Sequence, residues 1–588
     1  MGDGSTRGSW WFVSPLVLGL ACMPGATLTG DQTEPSASAS GEFAATIAAL
    51  DDANSRDRAL AELAEVAVTL AESPEDPRRP GFVAEVLPAL ARVYSRVDDT
   101  QRDAILAIAT QLGAPEGGSV WVQALSFGSA GGVDGSAAGL DRAVAALAAI
   151  RATHAELVAA DLIDRFEALL VDPSLDQVEG REGLLRVELA KTLGAVAGRR
   201  GVQPLLYALE QPEVDIAVAR AAVDALGQIG DPAAVDGLLT AVFSIPDAPG
   251  TQSLTERAVR AVAAIGEPAV PRVLAALEGK DLRLSRLVQE LGFMDDRVVQ
   301  QVALSWLGAI GSASAVESIV AEMPTADCQP GASVDEDEDE QEAAWTIIGV
   351  RAAAARALGE IGDPRAVDAL CSCRDATHEP ADLWEIATAL GRIGGDAAVA
   401  CLDGIVRDGF YSREAVERKF EHEIRWEGVR LLILAGSASD VARIRATIGA
   451  SSAAVQAEIE AHGYARGLSV LERCASDSDC YAEVLADPAR SGFEREVAGF
   501  QLARAARPGD VEVAAALARA FAVPDPDARV HMAWWTGRVA AGERCDACVE
   551  ALTEVMAAEQ GSAPATMLLA WLTARRTLAK LTRAHAPA

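Results

Sequence analysis

The 588-residue chain carries 51 basic and 86 acidic side chains, and its formal net charge of −35 disfavours binding to nucleic acid phosphates or anionic lipid headgroups. Hydrophobic residues make up 50% of the chain but aromatic residues only 5%, which favours Ala- and Leu-built helices over sheets. No long alternating run of β-branched residues occurs, so the sequence predicts an all-α protein.

The N-terminal segment is typical of an exported protein. Arg7 precedes an apolar stretch, residues 10–21, that is too short to span a membrane comfortably. The ending Leu-Gly-Leu-Ala-Cys22 resembles a bacterial lipoprotein signal, and residues 24–41 have the Ser-, Ala-, Thr- and Pro-rich composition of a tether. We therefore expect a signal peptide at 1–21, lipid on Cys22, a tether over 22–42 and a location in the periplasm or on the outer membrane. Simple secretion and an uncleaved start are the alternatives.

Residues 43–183 have an irregular helical pattern that predicts divergent repeats or an N-terminal cap. A clearer unit follows at Ala217–Val242, where apolar residues recur at three- and four-residue steps along one helix face. Gly230 suits the end of that helix, and Asp231 and Pro232 suit the start of the next. The pattern predicts an antiparallel helical pair whose bare apolar face needs neighbouring pairs.

Variants of this unit recur at a period typical of helical repeats. Their anchor residues lie at positions 193, 226, 262, 307, 358 and 390, so successive steps are 33, 36, 45, 51 and 32 residues. The stretch Leu358–Pro364 and its relatives resemble HEAT repeats, in particular the short HEAT-like class named after bilin lyases, over residues 184–436. This resemblance implies an α-solenoid, an alpha-alpha superhelix of helix pairs, in a family made mostly of binding scaffolds with a few enzymes.

Two later regions depart from the regular repeat. Six consecutive carboxylates, Asp335–Glu340, lie in an insertion at 325–342 that we expect to be a solvated mobile loop rather than a cation site. Residues 437–588 predict further helical repeats or a C-terminal cap. Trp534, Trp535 and Trp571 occur there at helical spacing in apolar context, so we interpret them as core residues rather than ligand anchors.

The cysteines other than Cys22 number eight, which favours disulfides in an exported chain. Two pairs are close in sequence and are candidate disulfides: Cys474 with Cys480, and Cys545 with Cys548. The second pair is either a structural disulfide or two reduced thiols. The connectivity of Cys328, Cys371, Cys373 and Cys401 stays open. Zinc held by the last three and His378 is disfavoured by their spacing, so we predict no metal site.

The sequence contains no phosphate-binding loop, nucleophile elbow or zinc-protease helix, so we predict no catalytic residue and no cofactor. The resemblance implies that the second helix of each pair lines the concave side of the superhelix. Six polar residues lie two places before the anchors and form a candidate partner-binding ridge: Lys191, Asp224, Arg260, Ser305, Arg356 and Thr388. Three of the six are cations, which favours an acidic partner at this ridge. The alternative is an ordinary solvated helix face.

These observations predict a non-enzymatic scaffold of the cell envelope that binds another protein and touches the membrane only through a lipid at Cys22. A lyase or cofactor chaperone of the bilin-lyase type is the alternative, although pigment attachment is a cytosolic reaction and export argues against it. A HEAT-like DNA-binding role would need a basic groove and is disfavoured by the net charge. The oligomeric state and the partner's identity are not encoded in any motif.

Overall fold

The computed structural model describes residues 41–125, 137–176, 180–246, 253–293, 297–323, 338–376, 380–408, 415–559 and 565–583. Within these ranges the chain forms 31 α-helices joined by short turns and no strand, which confirms the all-α prediction. The signal peptide, Cys22 and nearly all of the tether lie outside the described residues. No helix in the described part of the chain is both long enough and apolar enough to cross a membrane.

The N-terminal region consists of eight helices. They are α1 (Ala44–Asp51), α2 (Arg56–Glu72), α3 (Arg79–Gly81), α4 (Leu87–Tyr94), α5 (Asp99–Leu112), α6 (Gly118–Ala124), α7 (Ala137–Thr153) and α8 (Ala159–Val171). A π-helical turn, Phe82–Val86, joins α3 to α4. Phe82 is fully buried and packs edge-on against Phe43, with ring centroids 5.5 Å apart, so the start of α1 is held against this turn.

The repeat region contains fifteen helices. They are α9 (Leu184–Val196), α10 (Val202–Leu209), α11 (Ile216–Ile229), α12 (Val235–Ser244), α13 (Leu254–Ile265), α14 (Val270–Leu277), α15 (Leu282–Glu290), α16 (Arg297–Ile310), α17 (Val316–Glu322), α18 (Glu338–Ile361), α19 (Val367–Ala376), α20 (Pro380–Ile393), α21 (Asp396–Asp408), α22 (Ala415–Ala435) and α23 (Val441–Ala450). The antiparallel pair predicted at 217–242 is the pair α11 and α12.

The turn between α11 and α12 follows from its sequence. Gly230 ends α11 in the left-handed conformation, with φ of 69°, and its N–H bonds back to the Leu226 carbonyl. The Asp231 side chain then accepts a hydrogen bond of 2.9 Å from the backbone N–H of Ala233 and caps the 3₁₀ turn that leads into α12. The same Gly-Asp-Pro turn recurs after α18.

The six helices that carry the anchors, α9, α11, α13, α16, α18 and α20, form an inner row together with α22, and each packs on the next. Glycines after the anchors allow this close approach. A Cβ at Gly227 would lie 2.7 Å from the Ala261 backbone, and one at Gly359 would lie 2.7 Å from the Ala389 backbone. We call the surface of this row that faces away from the outer helices the concave face.

Two features of the repeat region differ from the sequence prediction. The 45-residue step between anchors 262 and 307 contains an additional helix, α15, packed near α12. The prediction of a loop over residues 325–342 is wrong for its last five residues, because α18 begins at Glu338. Acidic residues are favourable in the first turn of a helix, where they face the positive end of the helix dipole. Residues 324–337 lie outside the described part.

The C-terminal region contains eight helices. They are α24 (Ala453–Ala461), α25 (Tyr464–Cys474), α26 (Ser478–Ala486), α27 (Gly492–Ala505), α28 (Val511–Ala520), α29 (Pro526–Ala540), α30 (Asp546–Ala558) and α31 (Leu568–Arg583). The helices α27, α29 and α31 pack side by side, and α31 also packs on α13. These three, the return helices, run back along the repeat array, whereas the sequence suggested only further repeats or a cap.

Basic side chains of the return helices bind the C-terminal ends of inner-row helices. Arg504 on α27 donates to the Gly391 carbonyl of α20 at 3.0 Å and to the Leu434 carbonyl of α22. Arg538 on α29 donates to the Ile361 and Gly362 carbonyls after α18, and Lys580 on α31 donates to the Ile310 carbonyl of α16 at 3.2 Å. These carbonyls have no partner inside their own helices and form the negative pole of the helix dipole. The return helices therefore bind the repeats through the C-terminal ends of the inner-row helices.

Candidate functional site

The return helices and the inner row enclose a cavity of about 880 Å³. One wall is formed by α13, α16, α18, α20 and α22, and the opposite wall by α29 and α31. This volume is in the range of pockets that hold small organic ligands. The chain's own C-terminal helices therefore cover part of the concave face, which we had expected to be open to another protein.

Small residues on α18 keep the cavity open. Gly349, Ala352, Ala353 and Ala357 lie on one helical face and line the space. At Gly349, a Cβ would approach the Gln301 side-chain nitrogen to 2.4 Å. Larger side chains at these positions would fill the volume, so the alanine-rich sequence of α18 determines the size of the cavity.

One end of the cavity combines aromatic rings with a fixed cation. Trp534 lies at this end, and Trp384 and Trp426 also line the cavity. The Arg392 guanidinium lies over the Trp534 ring, 5.8 Å from its centroid, and its Nε donates to His531 Nε2 at 3.3 Å. Two separate contacts thus fix the orientation of Arg392 at the cavity wall.

His531 belongs to a buried polar network behind that wall. Its Nδ1 bonds to Glu496, which also accepts two hydrogen bonds of 2.6 Å from Arg430. Burial, together with Arg392 and Arg430, lowers the pKa of His531 well below 6.5, so the ring is neutral and its Nε2 lone pair can accept from Arg392. Burial raises the pKa of Glu496 to about 7, against the opposing effect of Arg430. The network thus fixes the orientation of Arg392 through a neutral His531, which adds no charge beside the guanidinium.

Most charged side chains of the wall are already ion-paired. Three arginines have carboxylate partners among the other wall residues: Arg356 with Glu385, Arg430 with Glu427 at 3.0 Å, and Arg576 with Glu256 at 2.9 Å. Within the described ranges, Arg392, Glu360 and Asp527 also line the cavity but have no side-chain ion pair. One cation and two carboxylates are therefore available to a ligand.

The structure divides the six residues of the predicted ridge into two groups. Ser305, Arg356 and Thr388 line the cavity and face the return helices. Lys191, Asp224 and Arg260 lie on α9, α11 and α13 outside it, where the side chains of the first two are 50% and 41% exposed.

The three ridge cations do not form the free positive stripe suggested by their sequence positions. Lys191 pairs with Glu188 at 2.7 Å, Arg260 with Asp224 at 3.2 Å, and Arg356 with Glu385. The paired carboxylates come from the same or the adjacent inner helix and largely cancel each positive charge locally. An attraction of the ridge for an acidic partner loses its basis.

The structure places six cysteines in disulfides. Cys474 is bonded to Cys480 and Cys545 to Cys548, with Cα atoms 5.4 and 5.2 Å apart. A third bond, Cys371–Cys401, links the outer helices α19 and α21 across a Cα separation of 5.9 Å. It removes two of the thiolates that the disfavoured zinc site would have needed.

Of the other two cysteines of that group, Cys373 is buried on α19, and Cys328 lies outside the described residues, as does His378. In the ranges that the structure describes, no three His, Cys, Asp or Glu side chains are arranged to hold a metal ion.

The three tryptophans interpreted as core residues have different environments. Trp535 and Trp571 are buried, at 4% and 9% exposure, as a core role requires. Trp534 instead lines the cavity, and its indole N–H donates to the Glu360 carbonyl at 2.9 Å. Helical spacing alone cannot distinguish a core residue from one that faces an internal cavity.

Comparison with known proteins identifies the repeats. Residues 218–244 match the family model described as PBS lyase HEAT-like repeat, and residues 348–419 match the model described as HEAT repeats. These segments correspond to α11 with α12 and to α18 through the start of α22. The chain therefore contains HEAT-like repeats, as the sequence indicated. No curated protein matches the sequence.

Solved structures provide more distant similarities. Human deoxyhypusine hydroxylase in complex with glycerol is 20% identical over 53% of this chain and 96% of its own, with a TM-score of 0.19. Yeast importin-β (Kap95p) is 13% identical over 92% of this chain and 69% of its own, with a TM-score of 0.28. At these values the fold assignment rests on the helices and the two family matches, and function must be argued from this chain's residues.

Proposed function

We propose that the protein is a non-enzymatic protein-binding scaffold of the bacterial cell envelope that binds its partner on the uncovered N-terminal part of the concave face. The observation that carries this proposal is the position of the return helices. They pack along the inner row from α11 to α22, while Lys191 on α9 and Asp224 on α11 remain about half exposed. HEAT-like solenoids typically use such surfaces to bind other proteins.

The charge beside the uncovered part favours a basic partner, because α7, which packs on α9, and α5 carry exposed carboxylates. Asp99, Asp103 and Asp141 on α5 and α7 have side chains that are 50%, 63% and 64% exposed. Arg142 pairs with the first two but is itself only 8% exposed, so the carboxylates rather than the guanidinium face solvent. A chain with a net charge of −35 strengthens the attraction for a basic surface and increases its rate of association.

Site-specific photo-crosslinking tests the location of the partner surface. A photoreactive residue at position 191 or 224 should crosslink a protein partner in envelope extracts, whereas one at Lys280, after α14 and 69% exposed, should not. Asp103→Asn with Asp141→Asn should weaken the crosslink, since Asn removes the charge and can still accept a hydrogen bond from the present partners, Arg142 for Asp103 and Arg181 for Asp141. Equal crosslinking from position 280 would contradict the proposed surface.

The envelope location is proposed from the lipoprotein-like segment that ends at Cys22 and the tether after it. Lipid on Cys22 would hold the protein in the membrane fraction. Cys22→Ser should therefore move it to the soluble fraction, with Cys474→Ser as the control that leaves fractionation unchanged. A wild-type protein already found in the soluble fraction would contradict the anchor and leave the crosslinking test unaffected.

A further inference from the structure

We propose that the cavity between the inner row and the return helices binds a small zwitterion of short-peptide size, with its carboxylate on Arg392 and its ammonium on Asp527 and Glu360. This site is separate from the partner surface on α9 and α11. Failure of the two proposals can therefore be distinguished.

Arg392 has the geometry of an anion-binding residue. Its Nε donates to His531 and its Cζ lies 5.8 Å from the centroid of the Trp534 ring, so the two terminal nitrogens remain to form a pair of parallel hydrogen bonds with a carboxylate. Both contacts exist without a ligand, so little side-chain entropy is lost when the anion binds. A lysine at this position could not reproduce the two-pronged contact.

The remaining unpaired wall charges are negative. Glu360 on α18 and Asp527 on α29 lie on opposite walls of the cavity, and both are close enough to Arg392 to influence its ionisation. A simple anion would satisfy Arg392 and leave two carboxylates facing it, while a simple cation would leave Arg392 without a counterion. A ligand that carries both charges can pair with all three groups, of which Arg392 and Glu360 are partly buried and Asp527 is exposed at the edge of the cavity.

The apolar part of the wall provides space for the body of the ligand. Trp384, Trp426, Leu572 and the alanine face of α18 line the cavity together with the charged groups. Apolar walls with a few convergent polar groups are typical of small-molecule sites. A volume of about 880 Å³ lies near the upper end for such sites and exceeds what a single small amino acid requires.

Isothermal titration calorimetry on the full chain tests the proposal with a panel of dipeptides bearing aliphatic or aromatic side chains. Each dipeptide is used free, N-acetylated and C-amidated. We expect free dipeptides to bind and each blocked end to lower affinity by about tenfold or more, since every tenfold change corresponds to about 1.4 kcal/mol. Arg392→Gln should abolish the difference between free and amidated dipeptides. Asp527→Asn combined with Glu360→Gln should abolish the difference between free and acetylated ones.

Arg283→Gln on α15, whose side chain is 79% exposed, is the matched control and should change nothing. If Arg392→Gln does not fold, as judged by circular dichroism, Ala353→Leu fills the cavity instead and should abolish binding. The proposal is overturned if no dipeptide of the panel binds, or if binding is insensitive to both end groups. Sensitivity to the carboxylate alone would show a simple anion site and would also overturn it.

Discussion

Replacing Gly362 by alanine should destabilise the docking of α29 on the repeats. Gly362 has a φ of +67°, and an added Cβ would lie 2.5 Å from Arg538 Nη1 and 2.9 Å from its Cζ. The left-handed conformation costs an L-residue about 1 kcal/mol. Displacing the guanidinium from the Ile361 and Gly362 carbonyls removes at least one charged hydrogen bond, of about 2 kcal/mol. We expect a total loss of about 3 kcal/mol.

The control is Gly279→Ala, because Gly279 has a φ of +66° with no atom within 4 Å of an added Cβ, so only the backbone strain applies. Hydrogen exchange of the α29 amides measures the local free energy of opening directly. In an Arg538→Met background, Gly362→Ala should cost no more than the control, since the guanidinium is absent. Equal losses for Gly362→Ala and Gly279→Ala in the wild-type background would refute the role of Arg538.

Two further predictions concern the buried acid and the cysteines. Because burial raises the pKa of Glu496 to about 7, the folded state holds its proton more tightly than the unfolded state, and this group should lower the free energy of unfolding as pH rises from about 4.5 to 7. Glu496→Gln should remove that decline, which urea titrations of both proteins across this range can measure; an unchanged profile would contradict the shift. Non-reducing peptide mapping should recover Cys371 linked to Cys401 and Cys474 linked to Cys480. Free thiols at either pair in freshly isolated protein would contradict that pairing.

The repeat units could be predicted from sequence because their determinants are local. The three consecutive residues Gly230, Asp231 and Pro232 are enough to predict the turn. The spacing of the apolar residues in α11 indicates that one face of this helix is buried. The extra helix α15 was missed although Gly279, with a φ of +66°, and Asp281, whose side chain caps the helix, mark its start, because it lies within a single step between anchors. Local patterns specified the helix pairs but not every insertion between them.

The candidate site could be predicted only in part. Ser305, Arg356 and Thr388 were selected as polar positions of the inner helices, and all three line the cavity. The return helices could not be predicted, since Arg504 and Arg538 bind backbone carbonyls, which leave no complementary side chain in the sequence. The role of Arg392 could not be predicted for a similar reason, because its two supporting contacts come from His531 and Trp534 on α29, which are distant in sequence.

The docking of basic side chains onto inner-helix ends has a consequence for the order of folding. Repeat pairs bond mostly to their neighbours and can form as synthesis proceeds. The contacts of Arg504, Arg538 and Lys580 with those ends instead join residues 113, 177 and 270 positions apart. The Ile310 carbonyl at the end of α16 therefore stays without this donor until 270 further residues have been made. Docking of α31 should therefore be the slow, late step of folding, since closing such long loops must precede the contacts that stabilise them.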